Sequence, residues 1–299
     1  MEHRTIAILS PGDMGGGVGA ALASHGHDVI TCVAGRSQAT QARAERLGFR
    51  PAADLEALVA EADIVLSILP PESAMDLARD VAAAMRRSGH APPYADCNAI
   101  SPETARAIGD LFDGVGAPFI DGGIIGWAPR PGGPPTRFYV SGEAAGHMDV
   151  LDGKGISVRR VGAEVGCASA VKMCYASITK GTNALHTAAM TVADALGVGD
   201  TVRAEIGESL PAIMKHMRGT IPRLPADAGR WVGEMDEIAS TYASAGVTPR
   251  FHQGAAEMYR LLDSTPYGRE TRETMDTART LEATISACLQ NLPTRDAAE

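Results

Sequence analysis

Lysine is scarce in this chain of 299 residues: only Lys154, Lys172, Lys180 and Lys215 stand among its 27 basic residues. Surface positive charge is left to arginine, and the net charge of -9 offers no electrostatic footprint for nucleic acid or an anionic membrane. Neither partner is expected. The five cysteines, Cys32, Cys97, Cys167, Cys174 and Cys288, are an odd number without a C-x-x-C pair, which argues against a disulfide framework and against a zinc site. Reduced, buried thiols are expected, and no metal ligands. No segment reaches the roughly 18 uncharged apolar residues that span a bilayer. The opening Met1-Glu-His-Arg-Thr5 runs into a strand-like segment with no secretory signal, so the expected location is cytoplasmic.

What is present divides in two. Up to about residue 161, short β-branched runs alternate with stretches of helical period. The runs are Arg4–Ser10, Asp28–Ala34, Asp63–Leu69, Tyr94–Cys97, Pro118–Asp121, Thr136–Ser141 and Ile156–Val161. Continuous apolar runs suit parallel strands covered on both faces, and strands separated by helices imply a doubly wound α/β sheet. Beyond that the strand signal stops. A long helix is expected over about Val165–Leu196, then helices near Thr201–Met217, Ala228–Ala245, Gln253–Asp263 and Arg269–Leu289, with a frayed tail from Asn291 to Glu299. The fold class is therefore α/β, a Rossmann-type, mostly parallel sheet over residues 1–162, followed by an all-α domain over 163–299 entered through a long interdomain helix.

Directly after the first run comes Ser10-Pro11-Gly12-Asp13-Met14-Gly15, a turn that opens a helix. At such a junction the backbone N–H groups and the helix dipole receive a dinucleotide's pyrophosphate. The first glycine of G-x-G-x-x-G is absent and Ser10 takes its place, but the placement at the first strand-to-helix junction supports the reading. Gly12 would let the phosphates approach, and Gly15 would let helix and strand pack closely. At the end of the second run, where an NAD-binding chain presents an acidic residue, this one reads Val33-Ala-Gly-Arg36-Ser37. A guanidinium and a hydroxyl suit a 2′-phosphate, so NADP(H) is the expected cofactor. Arg36 lying against the adenine face with either cofactor is the alternative. Leu69-Pro70 and Asn98 end two further strands at the same crevice. Asn98 either bonds nicotinamide or substrate, or caps the helix after Ser101-Pro102.

Lys172 is the candidate acid/base. It stands in the middle of Gly166-Cys-Ala-Ser-Ala-Val-Lys172-Met-Cys-Tyr-Ala, a helix of small and apolar residues in which a charge is costly without a task. At about 100° per residue, Tyr175, Thr179 and Asn183 share its stripe, while Val171, Cys174, Ile178 and Leu185 form the face expected to pack. Hydride transfer to or from a carbon bearing oxygen requires one proton to move at that oxygen. As an amine Lys172 takes it; as an ammonium it polarises and protonates a carbonyl. Lys180, about 80° round the helix, is read as snorkelling to solvent.

In this order the motifs resemble the β-hydroxyacid dehydrogenase family, which includes 3-hydroxyisobutyrate dehydrogenase and, more distantly, 6-phosphogluconate dehydrogenase. Ile8-Leu-Ser10-Pro-Gly12-Asp-Met14-Gly15 stands at the family's Gly-Leu-Gly-Asn-Met-Gly turn and Ile68-Leu69-Pro70 at its Leu-Pro. Asp96-Cys-Asn98-Ala-Ile-Ser101-Pro102 matches its Asp-x-Ser-Thr-x-x-Pro, and Phe119-Ile-Asp121-Gly122-Gly123 stands in the place of its substrate-binding segment. Gly162-x-x-x-Gly166 followed by Lys172 matches its catalytic helix. The resemblance implies substrate contacts from Asp121, Gly122 and Gly123, to which the helix stripe adds Tyr175, Thr179 and Asn183. It also implies a small-molecule substrate and a homodimer. Two departures stand out. The asparagine four residues after the lysine is Ala176 here, and Gly123-Ile124-Ile125 lacks the hydroxyl that helps hold a substrate carboxylate. The chain resembles a branch with its own helical C-terminal domain, acting on a hydroxy acid or related alcohol. An imine reductase on the same scaffold is the nearest alternative, and a non-catalytic NADP sensor the alternative of another class.

Overall fold

The computed structural model describes residues 4–293. The end of the tail for which fraying is expected, 294–299, lies outside the described residues. The chain divides into two compact units, Met1–Cys174 and Tyr175–Glu299.

The first unit holds eight strands: β1 (Thr5–Ile8), β2 (Asp28–Thr31), β3 (Arg50–Pro51), β4 (Ile64–Ser67), β5 (Tyr94–Asp96), β6 (Phe119–Ile125), β7 (Thr136–Ser141) and β8 (Ile156–Gly162). All seven expected runs are strands; β3, two residues pairing with the end of β2, is the addition. Sheet order is β3-β2-β1-β4-β5-β6-β7-β8, parallel throughout except where β7 runs antiparallel to β6. The chain leaves β1 toward β2 and β3, then returns to place β4 on its other side. That reversal opens a crevice at the carboxyl ends of β1 and β4, where open α/β sheets bind ligands.

Five helices connect the strands: α1 (Asp13–Ser24), α2 (Gln38–Arg46), α3 (Leu55–Glu61), α4 (Ala74–Ser88) and α5 (Pro102–Asp113). They cover both faces, giving two apolar layers. One gathers β-branched strand residues with Leu77, Val81, Ile108 and Phe112, and in it Tyr94, Phe112 and Phe119 stack with centroids 4.0 to 6.3 Å apart. The other packs Val18, Leu22 and Phe49 beneath the opposite face. Both-face burial is why the strands read as continuous apolar runs.

Helix α6 (Cys167–Ala176) follows β8 and runs past the division at Cys174 into a π-helical segment, Ser177–Gly181, and then α7 (Thr182–Ala195). The second unit is completed by α8 (Gly199–Ser209), α9 (Pro211–Thr220), α10 (Pro225–Ser244), α11 (Arg250–Ser264) and α12 (Leu281–Gln290). Two expected helices differ. The one near Thr201–Met217 is broken at Leu210, because Pro211 begins a new helix more readily than it continues one. The one over Arg269–Leu289 starts only at Leu281, with Thr280 as its N-cap. Upstream, Thr271 and Thr274 bond to each other and to nearby backbone N–H groups, and Asp276 accepts from Ala278 N. Such side chains offer the backbone an alternative to helix.

The face of the long helix expected to pack is instead exposed: Ile178 is 70% and Leu185 67% accessible, and Cys174 is exposed as well. Asn183, Thr187 and Thr191 are buried in their stead, the two threonines donating to carbonyls four residues back. A π segment carries one more residue per turn than an α-helix, so a wheel drawn at 100° per residue loses its phase beyond Ser177. Lys180 also departs from expectation. Its ammonium pairs with the buried Glu234 and lies 4.9 Å from the centre of the Trp231 ring. Tyr259, whose hydroxyl burial pushes up, donates to the Lys180 carbonyl at 2.8 Å. Burial pushes His252 down, and its ring packs edge-on against Tyr242.

Candidate active site

The turn Ser10–Gly15 lies at the carboxyl end of β1, on the crevice. Gly12 is the N-cap of α1 and so supplies no side-chain oxygen to the first-turn N–H groups, whereas Ser37, Asp54 and Ser101 cap α2, α3 and α5 with theirs. A Cβ built on Gly12 meets nothing within 4 Å, while one on Gly15 would stand 2.1 Å from the Ser10 carbonyl oxygen. Gly15 is thus demanded by close helix-strand packing, and the space at Gly12 is open to a phosphate. Pro11 is buried, Met14 half-buried and Asp13 exposed. These features fit a dinucleotide's pyrophosphate.

At the carboxyl end of β2, Arg36 and Ser37 are exposed. The Arg36 guanidinium has no acceptor among the described residues; only its backbone is engaged, N–H to Val33 and carbonyl to Gln41. Ser37 Oγ accepts from Thr40 N at 3.3 Å and lies 3.0 Å from Thr40 Oγ1.

Of the two roles expected of Asn98, the capping one falls to another residue. Ser101, not Asn98, caps α5. The buried Asn98 amide accepts from Leu69 N at 2.7 Å and donates to Ser67 Oγ at 3.0 Å. It ties the ends of β4 and β5 together and fixes the Leu69-Pro70 turn.

Asp121 is where the structure corrects the sequence reading most. Expected to contact substrate, it is fully buried, and its carboxylate accepts from five protein groups. Ser141 Oγ (2.8 Å), Gly166 N (2.9 Å), Ala168 N (2.9 Å) and Ser169 N (3.1 Å) converge on Oδ2, and Ser169 Oγ donates to Oδ1 at 2.5 Å. Three of these are N–H groups at the start of α6, so a carboxylate on β6 caps that helix from a distance of more than forty residues in sequence. Fully buried, the carboxylate presents no exposed oxygen to a substrate. Ser141 and Ser169 escape sequence reading because nothing in their neighbourhoods links them to Asp121.

Helix α6, so anchored, presses against β6. A Cβ on Gly123 would stand 2.8 Å from both the Ala168 carbonyl oxygen and Lys172 Cβ, and one on Gly122 would meet Asp96 O at 2.8 Å. Both glycines therefore serve close packing. Asp121 pairs with Asp96, the last residue of β5, so Gly122–Ile125 project beyond the ends of the parallel strands. Half-buried Lys172 donates from Nζ to the Ile124 carbonyl oxygen at 2.9 Å. The amine is thereby held past the carboxyl edge of the sheet.

Tyr175, Thr179 and Asn183 belong to the second unit. Tyr175 and Thr179 are exposed, and Thr179 Oγ1 donates back to the Tyr175 carbonyl at 3.1 Å. Asn183 is buried with its Oδ1 2.8 Å from His216 Nε2. His186, edge-on to His216, is pushed down first by burial and then by that neighbour's charge. The polar stripe expected along this helix does not persist through the π segment.

Residues 5–89 match the family described as NADP oxidoreductase, coenzyme F420-dependent, and residues 193–262 match a domain of unknown function, DUF1932. The Mycobacterium tuberculosis 3-hydroxyisobutyrate dehydrogenase, solved with L-serine, superimposes with a TM-score of 0.67 at 20% identity, covering 95% of this chain and 99% of that one. The fold is that of the 3-hydroxyisobutyrate dehydrogenases. A conserved protein of unknown function, described as structurally similar to 3-hydroxyacid dehydrogenases, shares this fold at 27% identity (TM-score 0.63; 87% of this chain, 96% of that one). An imine reductase from Myxococcus stipitatus in complex with NADP+ shares it at 19% identity (TM-score 0.56; 91% and 98%). In sequence, an uncharacterized 28.5 kDa protein of Methanothermus fervidus is 33% identical over 173 residues, which is 58% of this chain and 64% of that protein's length. The resemblance drawn from the sequence holds, with DUF1932 marking the divergent helical part. Among the described residues no helix is long and apolar enough to cross a membrane, and no cluster of metal-ligating side chains occurs.

Exchange of Asp121 for Asn would remove the charge and one of the two acceptor oxygens on which these donors converge. Urea unfolding should register a loss of about 3 kcal/mol, the scale for breaking a buried, charge-assisted network; a change within about 0.5 kcal/mol, ordinary for an uninvolved position, would contradict the capping role.

Proposed function

We propose that the chain is an NADP-dependent oxidoreductase that exchanges a hydride at the hydroxyl- or carbonyl-bearing carbon of a small hydroxy acid or related alcohol, with Lys172 as acid/base. The fold and the match of residues 5–89 to an NADP oxidoreductase family support a nicotinamide-dependent enzyme. The observation that carries the reading further is the seating of Lys172: an amine on a carboxylate-capped helix, held 2.9 Å from Ile124 O beyond the strand ends, in the same unit as the Gly12 turn. Ser10–Gly15 would hold the pyrophosphate, Arg36 and Ser37 the 2′-phosphate, and Leu69-Pro70, fixed by Asn98, the nicotinamide end.

When bound, the nicotinamide supplies or accepts the hydride. Lys172 does the rest at the substrate oxygen. In oxidation its amine takes up the hydroxyl proton; in reduction its ammonium polarises the carbonyl and returns one. The bond to the Ile124 carbonyl oxygen helps to keep Nζ in place. Imine reduction is the second reading, supported by the shared fold and by the exposed Tyr175 phenol. A non-catalytic sensor would bind the dinucleotide with no need of Lys172. Gly122 and Gly123 would contribute shape, not side-chain contacts, to substrate binding.

We also infer a homodimer and a cytoplasmic location. Leu185, Val192 and Leu196, each more than half accessible, recur at spacings of seven and four along α7 and its end, a stripe that suits a partner helix.

Lys172→Ala should lower kcat by about a hundredfold or more, as expected for losing a general acid/base, with NADPH binding preserved; assays across 3-hydroxy acids, neutral alcohols and cyclic imines decide it, and full turnover would refute the mechanism. Arg36→Ala should weaken NADPH by about tenfold or more while NADH changes little, the scale of a charge-assisted phosphate contact; equal losses in calorimetry would count against the phosphate assignment. Light scattering of the native chain should give twice 31.1 kDa, and Leu185→Glu should shift it toward the monomer.

A further inference from the structure

We propose that Trp127 is a specificity-determining residue of this site, selecting substrates that carry an aryl or similarly broad apolar group beside the reacting carbon. The proposal rests on the oxidoreductase reading above and deepens it.

Trp127 is 68% accessible, and among the described residues of the first unit no other large apolar side chain is so exposed. Its backbone is not loose. Gly126, at a φ of 125°, turns the chain out of β6, and Thr136 Oγ1 at the start of β7 donates to the Trp127 carbonyl. The loop then runs Ala128-Pro129-Arg-Pro131-Gly-Gly-Pro134-Pro135, with four prolines restricting its path.

Both flanks of Trp127 are anchored to parts of the site. Three residues before it, Ile124 O holds Lys172 Nζ. One residue after it, Ala128 packs on α1: a Cβ on Gly17 would stand 3.0 Å from Ala128 Cβ and 3.4 Å from Pro129 Cδ. Gly17 lies one turn into the helix that opens at Gly12. The indole is therefore carried on a stiff span between the amine and the phosphate turn. Its Cα lies within about 11 Å of that of Ile124, the most that three residues of extended chain allow.

The end of β6 that leads to it carries no polar side chain beyond Asp121, and Arg137 of β7 stands opposite Ile125. The Asp121 carboxylate is enclosed by protein donors, and Gly122-Gly123-Ile124-Ile125 carries no hydroxyl. A flat, exposed indole three residues from the carbonyl that holds the ammonium suits a ligand with one oxygen to polarise and a broad apolar group to stack.

The test uses the full chain, NADP+ and two probes that differ by a phenyl ring, 3-hydroxypropanoate and 3-hydroxy-3-phenylpropanoate. The native chain should favour the phenyl compound in kcat/KM. Trp127→Ala should lower that preference about tenfold through KM, as loss of a stacking partner does, and Trp127→Phe should retain most of it. A second measurement does not depend on turnover. In Trp231→Phe the sole indole is Trp127, and with NADPH bound its emission should change on titration with the phenyl compound and not with the other. A preference unaltered in Trp127→Ala, or an emission indifferent to both probes while calorimetry shows NADPH bound, overturns the proposal. Failure of the native chain to bind NADPH at all would instead fall on the oxidoreductase reading.

Discussion

The buried carboxylate of Asp121 is the constraint on which the arrangement depends. Burying a charge is costly unless donors surround it, and among the described residues no ion pair to Asp121 supplies that compensation. The compensation comes from the start of α6, where three N–H groups and a serine hydroxyl point at the carboxylate, and from Ser141 on the neighbouring strand. Helix N-termini have unsatisfied donors and partial positive charge, so each side of this contact supplies what the other lacks. The geometric result is the more important one. Fixing where α6 begins and which way it is rotated fixes Lys172, the sixth residue of the helix, and Gly123 removes the side chain that would hold the helix away.

Much of the first unit is legible in the sequence because its strands are buried on both faces and its turns carry glycine. The strand β3 is not, since two residues, Arg50 and Pro51, pair only at the end of β2 and carry no periodicity. Lys172 stands out through its rarity and its apolar helix. Asp121 is conspicuous too, but its role is not, because a carboxylate that caps a helix and one that meets a substrate look alike until the fold shows which donors reach it. The Ile124 carbonyl that holds the amine is a backbone atom, invisible to any reading of side chains. Asn98 falls between: its place at a strand end is legible, while its bond to Leu69 N depends on the register of β4 against β5.

The second unit inverts the usual reading of polarity. Asn183, Thr187 and Thr191 are inside because each satisfies its polar group nearby, the threonines on their own helix and the asparagine on His216. The apolar Ile178, Leu185, Val192 and Leu196 are outside. A helix wheel assumes a constant turn, and the π segment Ser177–Gly181 breaks that assumption at the point where the wheel is most needed. The segment is itself braced by side chains of α10 and α11, with Tyr242 on Ser177 Oγ, Tyr259 on the Lys180 carbonyl and Glu234 on the Lys180 ammonium. Local composition does not announce such a brace.

The glycines of the turn and of β6 separate two kinds of requirement. At Gly15 and Gly123 a Cβ would collide with other parts of the chain, so the protein's own packing accounts for them. At Gly12 it would collide with nothing, and the backbone there has φ near -70°, which any residue adopts. Neither packing nor conformation explains a glycine at that position. The space above it is open, and the carboxyl end of β1, beside the point where strand order reverses, is where α/β sheets receive anionic ligands.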